Sequence, residues 1–345
     1  MVHLYFLSSA PDLSRLRSHS AKIGFCVALM VVLLFVLNRF AGTAFGASAP
    51  VASGAKVPQQ VSLFQLKDNQ GRLITNTDLI NVNVIVTDRD GKHVSGLDKS
   101  AFAVVDDELT QEISFFSAQD IPISIAVIFD TSQSMEAEKI VRAREALARF
   151  IELSHRSDEY FLISFSDRVQ LLLDGSQDIE TVLERFAYLK PQGQTSLYDA
   201  TYLGIEKVAR GSRARRAILL ITDGNDTCSR YSLRDVSLAL QESDVVVYAI
   251  GILGFSRVKA LAGRRTLERL TSVSGGKAYF PGSSEALIGA FEQIALELRS
   301  QYFIAYRPID LSSGRKWHRI KVELTSVDKA RFKVRSRPGA YAPND

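Results

Sequence analysis

Apolar and polar residues alternate with a two-residue period near both ends of the chain. Residues 82–86 place valine at every second position, and residues 320–324 repeat the pattern with an isoleucine, a valine and a leucine. Such alternation predicts antiparallel strands with one buried and one solvated face. Because an isolated hairpin is only marginally stable, we expect neither block to fold alone. The pattern therefore predicts that residues 62–118 and 301–340 join in one antiparallel β-sandwich.

The middle of the chain, residues 119–300, has a different pattern, in which short apolar runs alternate with helical stripes. Residues 123–129 are continuously apolar, as expected for a strand covered on both faces. Strands that alternate with helices demand right-handed crossovers and a mainly parallel sheet. The sequence therefore predicts an α/β fold with a Rossmann-like sheet flanked by helices. The further predicted strands are 160–165, 169–173, 217–222, 245–251 and 277–280, and the predicted helices are 135–153, 179–189, 197–210, 233–242, 266–273 and 285–299.

An apolar segment, residues 23–37, stands near the start of the chain. Basic residues precede it and small residues follow it as far as Ala49, an order that is typical of an export signal. If the segment extends over residues 23–41, it would instead remain as an N-terminal anchor. We assign residues 1–49 to a signal peptide or membrane anchor and residues 50–61 to a linker. Either way the rest of the chain is expected outside the cytoplasm, in the periplasm or at the cell surface, because the positive flank stays inside.

The net charge of +4 belongs mostly to the N-terminal segment. Residues 1–49 carry +3, which leaves only +1 for residues 50–345. So small a charge gives no support for binding to nucleic acid, and membrane contact is expected only through the N-terminal segment. Because Cys26 lies in the export segment, Cys228 has no partner for an intrachain disulfide. One basic cluster follows a predicted helix, and we interpret it as a solvated turn where cations are favourable; it comprises Arg210, Arg213, Arg215 and Arg216.

Five residues with oxygen-bearing side chains lie where an open α/β sheet exposes its ligand-binding loops, just past a strand or just before a helix. They are Asp130, Ser132, Ser134, Thr195 and Asp223. In an extended loop, residues two apart point the same way, so Ser132 and Ser134 can direct their hydroxyls at one point. A ligand set of oxygens alone favours Mg²⁺, Mn²⁺ or Ca²⁺ over zinc. We therefore predict a divalent-cation site, with Mg²⁺ as the preferred ion.

The order of these residues resembles the metal-ion-dependent adhesion site of the von Willebrand factor type A family. The Asp-x-Ser-x-Ser motif at 130–134, then Thr195 and then Asp223 match the family at all five positions, within a region of about residues 121–300. The resemblance implies that the three hydroxyl residues bind the metal directly and that the two aspartates act mostly through water. Such an ion keeps an open position suited to a carboxylate from a protein partner. A further resemblance, to a bacterial group of exported proteins related to this family, rests on segments 86–97 and 331–341.

Each motif also has a purely structural interpretation. The first motif could merely cap the helix that follows, residues 196–199 fit a capping box, and a Thr-Asp-Gly sequence alone is an ordinary turn. We interpret Asp199 as a helix-start carboxylate and Asp226 as a turn residue. Three motifs in the right order behind suitable strands favour the metal site over these separate explanations.

The sequence shows no catalytic constellation, so we expect that the protein is not an enzyme. His93, His155 and His318 lie outside any zinc-binding helix motif, and neither a Gly-x-Ser-x-Gly elbow nor a phosphate-binding loop is present. The leading hypothesis is an exported, metal-dependent protein-binding module of the adhesion type, which captures an acidic group of a partner. The alternative is a structural assembly factor of the cell envelope in which the metal only stabilises the loops. A metal-dependent hydrolase would need a general base near the site, and none is visible.

Overall fold

The computed structural model describes residues 66–67, 73–74, 79–187, 189–254, 256–309, 317–325 and 331–341. The predicted export segment and linker lie outside these residues. Within the part of the chain that the structure describes, no helix is both long enough and apolar enough to span a membrane.

The secondary structure follows the predicted order of two β-rich flanks around an alternating centre. The strands are β1 Leu66–Lys67, β2 Leu73–Ile74, β3 Ile80–Asp88, β4 Phe102–Asp106, β5 Leu109–Gln111, β6 Ile113–Ser117, β7 Ile123–Asp130, β8 Glu159–Phe165, β9 Val169–Ser176, β10 Arg215–Thr222, β11 Val246–Gly251, β12 Lys277–Tyr279, β13 Tyr302–Tyr306, β14 Trp317–Leu324, β15 Phe332–Arg335 and β16 Gly339–Tyr341. The helices are α1 Ala137–Glu152, α2 Ile179–Ala187, α3 Leu197–Ala209, α4 Leu233–Glu242, α5 Arg257–Ser274 and α6 Ser284–Arg299.

The central sheet has six strands in the order β12-β11-β10-β7-β8-β9. Neighbouring strands are parallel except at the edge, where β9 pairs antiparallel with β8. Strand β7 is buried at every position, as its continuous apolar run requires in a sheet covered on both faces. Helices α1, α2 and α6 pack on one face, and α3, α4 and α5 pack on the other. The predicted α/β fold with a mainly parallel, helix-flanked sheet is confirmed.

Two four-stranded antiparallel sheets lie outside this domain, in the orders β15-β3-β13-β6 and β16-β14-β4-β5. Each sheet combines strands that precede the central domain with strands that follow it. One apolar core is shared by both sheets and includes Val82, Val104, Ile304 and Val322. The antiparallel β-sandwich predicted from the two flanks is therefore confirmed. The alternation does not predict β5, β13 and β16, because these strands are only three to five residues long and do not alternate.

Arg215 joins the two segments that connect the central domain to the sandwich. This residue begins β10 and is only 2% exposed. Its Nη2 donates to the carbonyl oxygens of Gln119, at 3.3 Å, and Gln301, at 3.0 Å. Gln119 precedes β7 and Gln301 follows α6. The sandwich therefore connects to the central domain at the amino ends of the parallel strands.

The solvated turn that we predicted for the basic cluster is wrong for two of its four arginines. Arg210 and Arg213 do lie in the turn, but Arg215 and Arg216 belong to β10, which begins two residues earlier than predicted. Arg216 Nη1 pairs with Asp244 Oδ2 at 2.8 Å. Burial lowers the pKa of Arg215 to about 10. Both carbonyl contacts are made by Nη2, whereas Nε and Nη1 of Arg215 are buried without a hydrogen-bond partner.

Helix α5 is much longer than the sequence pattern predicts. It begins at Arg257 and not at residue 266. In its first turns Val258 is 81% exposed and Leu261 is 50% exposed, so these apolar side chains do not lie on the buried face. The apolar stripe that identifies an amphipathic helix is interrupted there, and the pattern predicts only the second half of the helix.

A buried ion pair joins the last helix of the central domain to the sandwich. Glu297 of α6 is 2% exposed and pairs with Arg335 of β15. The Tyr279 hydroxyl donates to the same carboxylate at 2.7 Å, and Lys277 Nζ lies 4.0 Å from it. Removal of one member of a buried pair leaves an uncompensated charge away from water. The contact between the two parts of the chain therefore depends on matched charge.

We predict that Arg335→Met lowers the free energy of unfolding by about 3 kcal/mol, because it leaves the buried Glu297 carboxylate without its arginine partner. The double variant Glu297→Gln/Arg335→Met should recover most of that loss, since a neutral amide needs no cation. Lys333→Met, at an exposed position of the same strand, is the matched control and should change stability by less than about 0.5 kcal/mol. Urea unfolding of the four proteins measures these differences. Equal losses for Arg335→Met and Lys333→Met would contradict the matched-charge interpretation.

Candidate metal-binding site

The five predicted site residues lie at the carboxyl end of the central sheet. Asp130 is the last residue of β7, and Asp223 directly follows β10. These two strands are neighbours, so their ends lie side by side. Thr195 stands one residue before the N-cap of α3. Parallel strands place their carboxyl ends at one edge, which is where open α/β sheets bind ligands.

The hydroxyl oxygens of Ser132 and Ser134 lie 3.0 Å apart. The backbone reaches this arrangement by a route that differs from the expected extended loop, because residues Gln133–Met135 form a 3₁₀ turn. Met135 is completely buried at the end of the turn and fixes it to the core. Ser132 is 1% exposed, whereas Ser134 is exposed. The two hydroxyls therefore lie side by side, one on a buried residue and one on an exposed residue.

Asp130 is a fully buried carboxyl group held by two hydrogen bonds. Its Oδ1 accepts the Ser132 N–H at 2.8 Å, and its Oδ2 accepts the Thr222 hydroxyl at 2.5 Å. Burial, with a smaller contribution from the nearby Asp223 carboxylate, raises the pKa of Asp130 from 3.8 to about 6, against the opposite effect of the hydrogen bonds. An ionised carboxylate in this position is costly unless a cation compensates it.

Hydrogen bonds join Thr195 and its loop to the first and third loops. The Gln133 N–H donates to the carbonyl of Gly193 at 3.2 Å, which ties the Thr195 loop to the first loop. The Thr195 N–H donates to Thr227 Oγ1 at 2.9 Å, and the Thr195 carbonyl accepts the N–H groups of Thr227 and Cys228. The structure thus brings the middle motif into one cluster with the first and the third.

Close backbone packing positions the third loop against helix α5. Gly224 has φ +82°, and a Cβ there would lie 2.4 Å from the Gly263 carbonyl oxygen. A Cβ on Gly263 would lie 2.1 Å from the Asp223 carbonyl oxygen. Both positions therefore require glycine. Gly263 is a supporting residue that the motif analysis missed, because a glycine inside a helix gives no signal of the loop that packs against it.

The structural interpretations of the motifs have mixed outcomes. The capping box at residues 196–199 is wrong: the Ser196 hydroxyl donates to the Ser166 carbonyl at 2.6 Å and makes no cap. Asp199 accepts the N–H groups of Arg230 and Tyr231, at 2.8 and 3.0 Å. Asp226 accepts the hydroxyl of Ser229 at 2.5 Å, as expected for a turn residue. Both carboxylates hold the loop that follows the third motif.

The two carboxylates at this site are buried away from the cationic side chains that the structure describes. Asp130 is completely buried and Asp223 is 6% exposed. Within the described ranges, neither carboxylate forms an ion pair with a lysine, arginine or histidine. Buried charges are normally paired or coordinate a metal. The donor set, carboxylates and hydroxyls without sulfur or imidazole, suits a hard divalent cation such as Mg²⁺.

A second cluster of potential ligands, in the sandwich, is better explained by hydrogen bonding. Asp106, Asp107 and His318 place one ligand atom each within 4.8 Å of one another. However, His318 Nδ1 lies 3.0 Å from both carboxylate oxygens of Asp106, which also accepts the Tyr306 hydroxyl at 3.0 Å. Asp107 accepts the Arg319 N–H at 3.1 Å. These are ordinary hydrogen-bond distances, so the cluster satisfies itself without an ion.

Comparison with known proteins identifies the family of the central domain. The family model of the von Willebrand factor type A domain matches residues 124–293. This region is a von Willebrand factor type A domain. The match begins inside β7 and ends inside α6, so it covers the central sheet with its helices and leaves out the sandwich.

Several known proteins are similar to this von Willebrand domain. The chain is 27% identical to the inter-alpha-trypsin inhibitor heavy chain H4 of Sus scrofa over 168 residues, which are 46% of this chain and 18% of that protein. It is also 27% identical to an uncharacterized protein of Synechocystis over 180 residues, 48% of this chain and 40% of the relative. Among solved structures, a von Willebrand factor type A protein from Catenulispora acidiphila covers 78% of this chain and 75% of its own, with 10% identity and a TM-score of 0.46. The chain therefore spans less than half the length of the two sequence relatives.

Asp130→Asn tests the buried charge in the absence of metal. Because burial raises the pKa of Asp130 from 3.8 to about 6, the folded state favours the protonated acid, and stability is lost as the pH rises through that window. Asparagine carries no charge, so in EDTA we expect the variant to be more stable than the parent by about 3 kcal/mol at about pH 8. Near pH 3.5 the difference should shrink to about 0.2 kcal/mol, because Asp130 is then protonated in the folded chain and mostly protonated in the unfolded chain. Urea unfolding at both pH values measures the difference, and equal stability at the higher pH would count against a buried carboxylate.

Proposed function

We propose that the von Willebrand domain binds one divalent cation, preferably Mg²⁺, and uses it to capture an acidic group of a protein partner. The observation that carries this proposal is the convergence of buried, unpaired carboxylates with hydroxyl groups at one edge of the sheet. Mn²⁺ and Ca²⁺ share the preference for oxygen ligands and are the alternative ions. The residues that would hold the cation are Asp130, Ser132, Ser134, Thr195 and Asp223.

The residues divide into two roles. The hydroxyls of Ser132, Ser134 and Thr195 would contact the cation, and the two aspartates would hold water on it and balance its charge. A cation held mainly by neutral oxygens keeps a strong positive field, which is the chemistry that attracts a carboxylate from another protein. The Ser132 N–H and the Thr222 hydroxyl keep the Asp130 carboxylate in place for this purpose.

The surroundings of the site favour binding over catalysis. A hydrolytic metal site needs a general acid or base within hydrogen-bond reach of the reacting group. His318 is engaged with Asp106 in the sandwich, and His155 Nδ1 accepts the Ser157 N–H after α1. We therefore propose a non-enzymatic interaction module, exported to the periplasm or cell surface by the segment within residues 1–49 and anchored there if that segment is retained.

An assembly-factor role, in which the cation only stabilises the loops, is the second candidate. The observation in its favour is the dense set of backbone hydrogen bonds that already joins the three loops, through Gln133, Gly193, Thr195 and Thr227. The two candidates differ in what removal of the metal does to partner binding.

The test compares the parent chain with Ser132→Ala and Gln133→Ala in Mg²⁺ and in EDTA. Ser132 supplies a buried hydroxyl to the site, whereas Gln133 is exposed and contributes only its backbone. We expect Mg²⁺ at about 100 times its Kd to raise the unfolding free energy of the parent and of Gln133→Ala by about 2.7 kcal/mol, because the ion binds only the folded state. Ser132→Ala should gain much less. Thermal unfolding across a metal series measures the effect, and no gain for any of the proteins would refute the cation site.

The same three proteins, immobilised and exposed to envelope proteins, separate the two candidate functions. Metal-dependent capture predicts a set of bound proteins that disappears in EDTA and with Ser132→Ala but persists with Gln133→Ala. If EDTA lowers the melting temperature and leaves the bound set unchanged, the assembly-factor role is correct and capture through the cation is not.

A further inference from the structure

The first turns of helix α5 lie at the carboxyl ends of the strands, beside the proposed metal-binding site. It follows β11 and leads to β12, so it starts at the carboxyl edge and runs antiparallel to the strands. Its backbone meets the third loop at Gly263, where a Cβ would lie 2.1 Å from the Asp223 carbonyl oxygen. The six helical residues before Gly263 therefore extend roughly 9 Å beyond that contact, at a rise of about 1.5 Å per residue. They stand beside the site, at or above its level.

The exposed face of this projecting part carries apolar side chains. Val258 is 81% exposed and Leu261 is 50% exposed. Together with Arg265 they occupy positions i, i+3 and i+7, which form one stripe on a helix. The opposite face holds Gly263 and Leu267, which are buried against the domain. The apolar pair is thus directed away from the core and contributes nothing to it.

The first half of α5 is also strongly basic. Arg257 and Arg265 lie beside the apolar pair, and Lys259 lies about 100° around the helix from Val258. Arg257, Lys259 and Arg265 are exposed, and among the described residues none of the three forms an ion pair. The acidic residue of this helix, Glu268, lies 3.4 Å from Arg264. We call the set Arg257, Val258, Lys259, Leu261 and Arg265 the α5 patch. It carries three positive charges around two exposed apolar side chains.

We propose that the α5 patch is a second contact for the captured partner and binds an acidic segment that bears apolar side chains. This inference rests on the proposed function, because it places the segment next to the carboxylate offered to the cation. Charge complementarity selects the occupant: three unpaired cations beside a cation site attract a chain with several carboxylates and repel a basic one. The apolar pair adds contact area that free carboxylates alone would not fill.

The start of α1, on the other face of the sheet, carries charges that are already paired. Glu136 pairs with Lys139 at 3.6 Å, and Glu138 pairs with Arg142. An acidic segment is therefore favoured over α5, whose exposed cations form no ion pair among the described residues. The segment is expected to run from the cation toward Val258 and Leu261.

The test uses a defined probe, a fluorescein-labelled eight-residue peptide of aspartates and leucines, with the full chain in Mg²⁺. Two control peptides replace the leucines by serines or the aspartates by lysines. The patch variants are Val258→Ser/Leu261→Ser and Arg257→Glu/Arg265→Glu. Leu296→Ser on α6 is the matched control, because Leu296 is 51% exposed and Leu261 is 50% exposed. Thermal unfolding of each variant verifies that these surface changes leave the fold intact.

We expect the aspartate–leucine peptide to bind the parent and Leu296→Ser equally and to bind either patch variant about tenfold more weakly or worse. Both control peptides should bind the parent more weakly than the aspartate–leucine peptide does. Equal binding by the parent and both patch variants, or no binding to the parent up to millimolar peptide, would overturn the inference.

Further arms separate this inference from the proposed function and from other occupants. If EDTA and Ser132→Ala leave peptide binding unchanged while the patch variants weaken it, the patch stands and the cation function fails. If EDTA and Ser132→Ala weaken peptide binding while the patch variants leave it unchanged, the cation function stands and the patch inference is overturned. If the patch variants instead abolish binding to vesicles of phosphatidylserine and phosphatidylcholine without weakening peptide binding, the patch contacts a membrane. If they abolish only self-association in sedimentation, the patch is a contact between copies. Either of these last two results overturns the inference.

Discussion

Two carboxylates held out of water at the ends of neighbouring strands, Asp130 and Asp223, are the constraint on which this site depends. Each would lose much of its solvation in that position, and within the described residues no cation of the protein offsets the loss. The arrangement is possible because β7 and β10 are adjacent and parallel, which brings their carboxyl ends to one edge. Hydrogen bonds join the loops of the three motifs at the same edge. The fold therefore places two buried carboxylates beside hydroxyl groups, which is the arrangement on which the proposed cation site rests.

The described strands of the sandwich lie away from that edge. The sandwich connects to the domain at the opposite end, where Arg215 holds both connecting segments and Glu297 pairs with Arg335. Loop contacts on the functional side come instead from backbone packing, above all between Gly224 and Gly263. The contacts that join the sandwich to the domain and the residues of the proposed cation site thus lie at opposite ends of the sheet. Changes in the sandwich core should leave the proposed cation site intact, and changes in that site should leave the sandwich intact.

The sequence predicts the features that follow from strong periodicity or from a fixed motif. The continuous apolar run of β7 and the alternation of β3 predict the two architectures, and the motifs predict five oxygen-bearing site residues. The structure departs from prediction where tertiary contacts override the local pattern. Arg215 resembles a turn residue in sequence, but two backbone carbonyls hold it in a strand. The capping box fails because the Ser196 hydroxyl finds a better acceptor in the neighbouring loop. The sequence pattern does not predict the first half of α5, because its apolar side chains face solvent and form no buried stripe. Those exposed apolar side chains are the observation from which the contact surface is inferred.

The central claim is that the carboxyl edge of the sheet holds a single divalent cation through hydroxyl oxygens. Diffraction from crystals of the protein grown with Mn²⁺, recorded where manganese scatters anomalously, tests it most directly. The account predicts one strong anomalous peak per chain, in contact with the side-chain oxygens of Ser132, Ser134 and Thr195. A peak at Asp106, Asp107 and His318 instead, or no peak at either place in crystals that hold millimolar Mn²⁺, would contradict it.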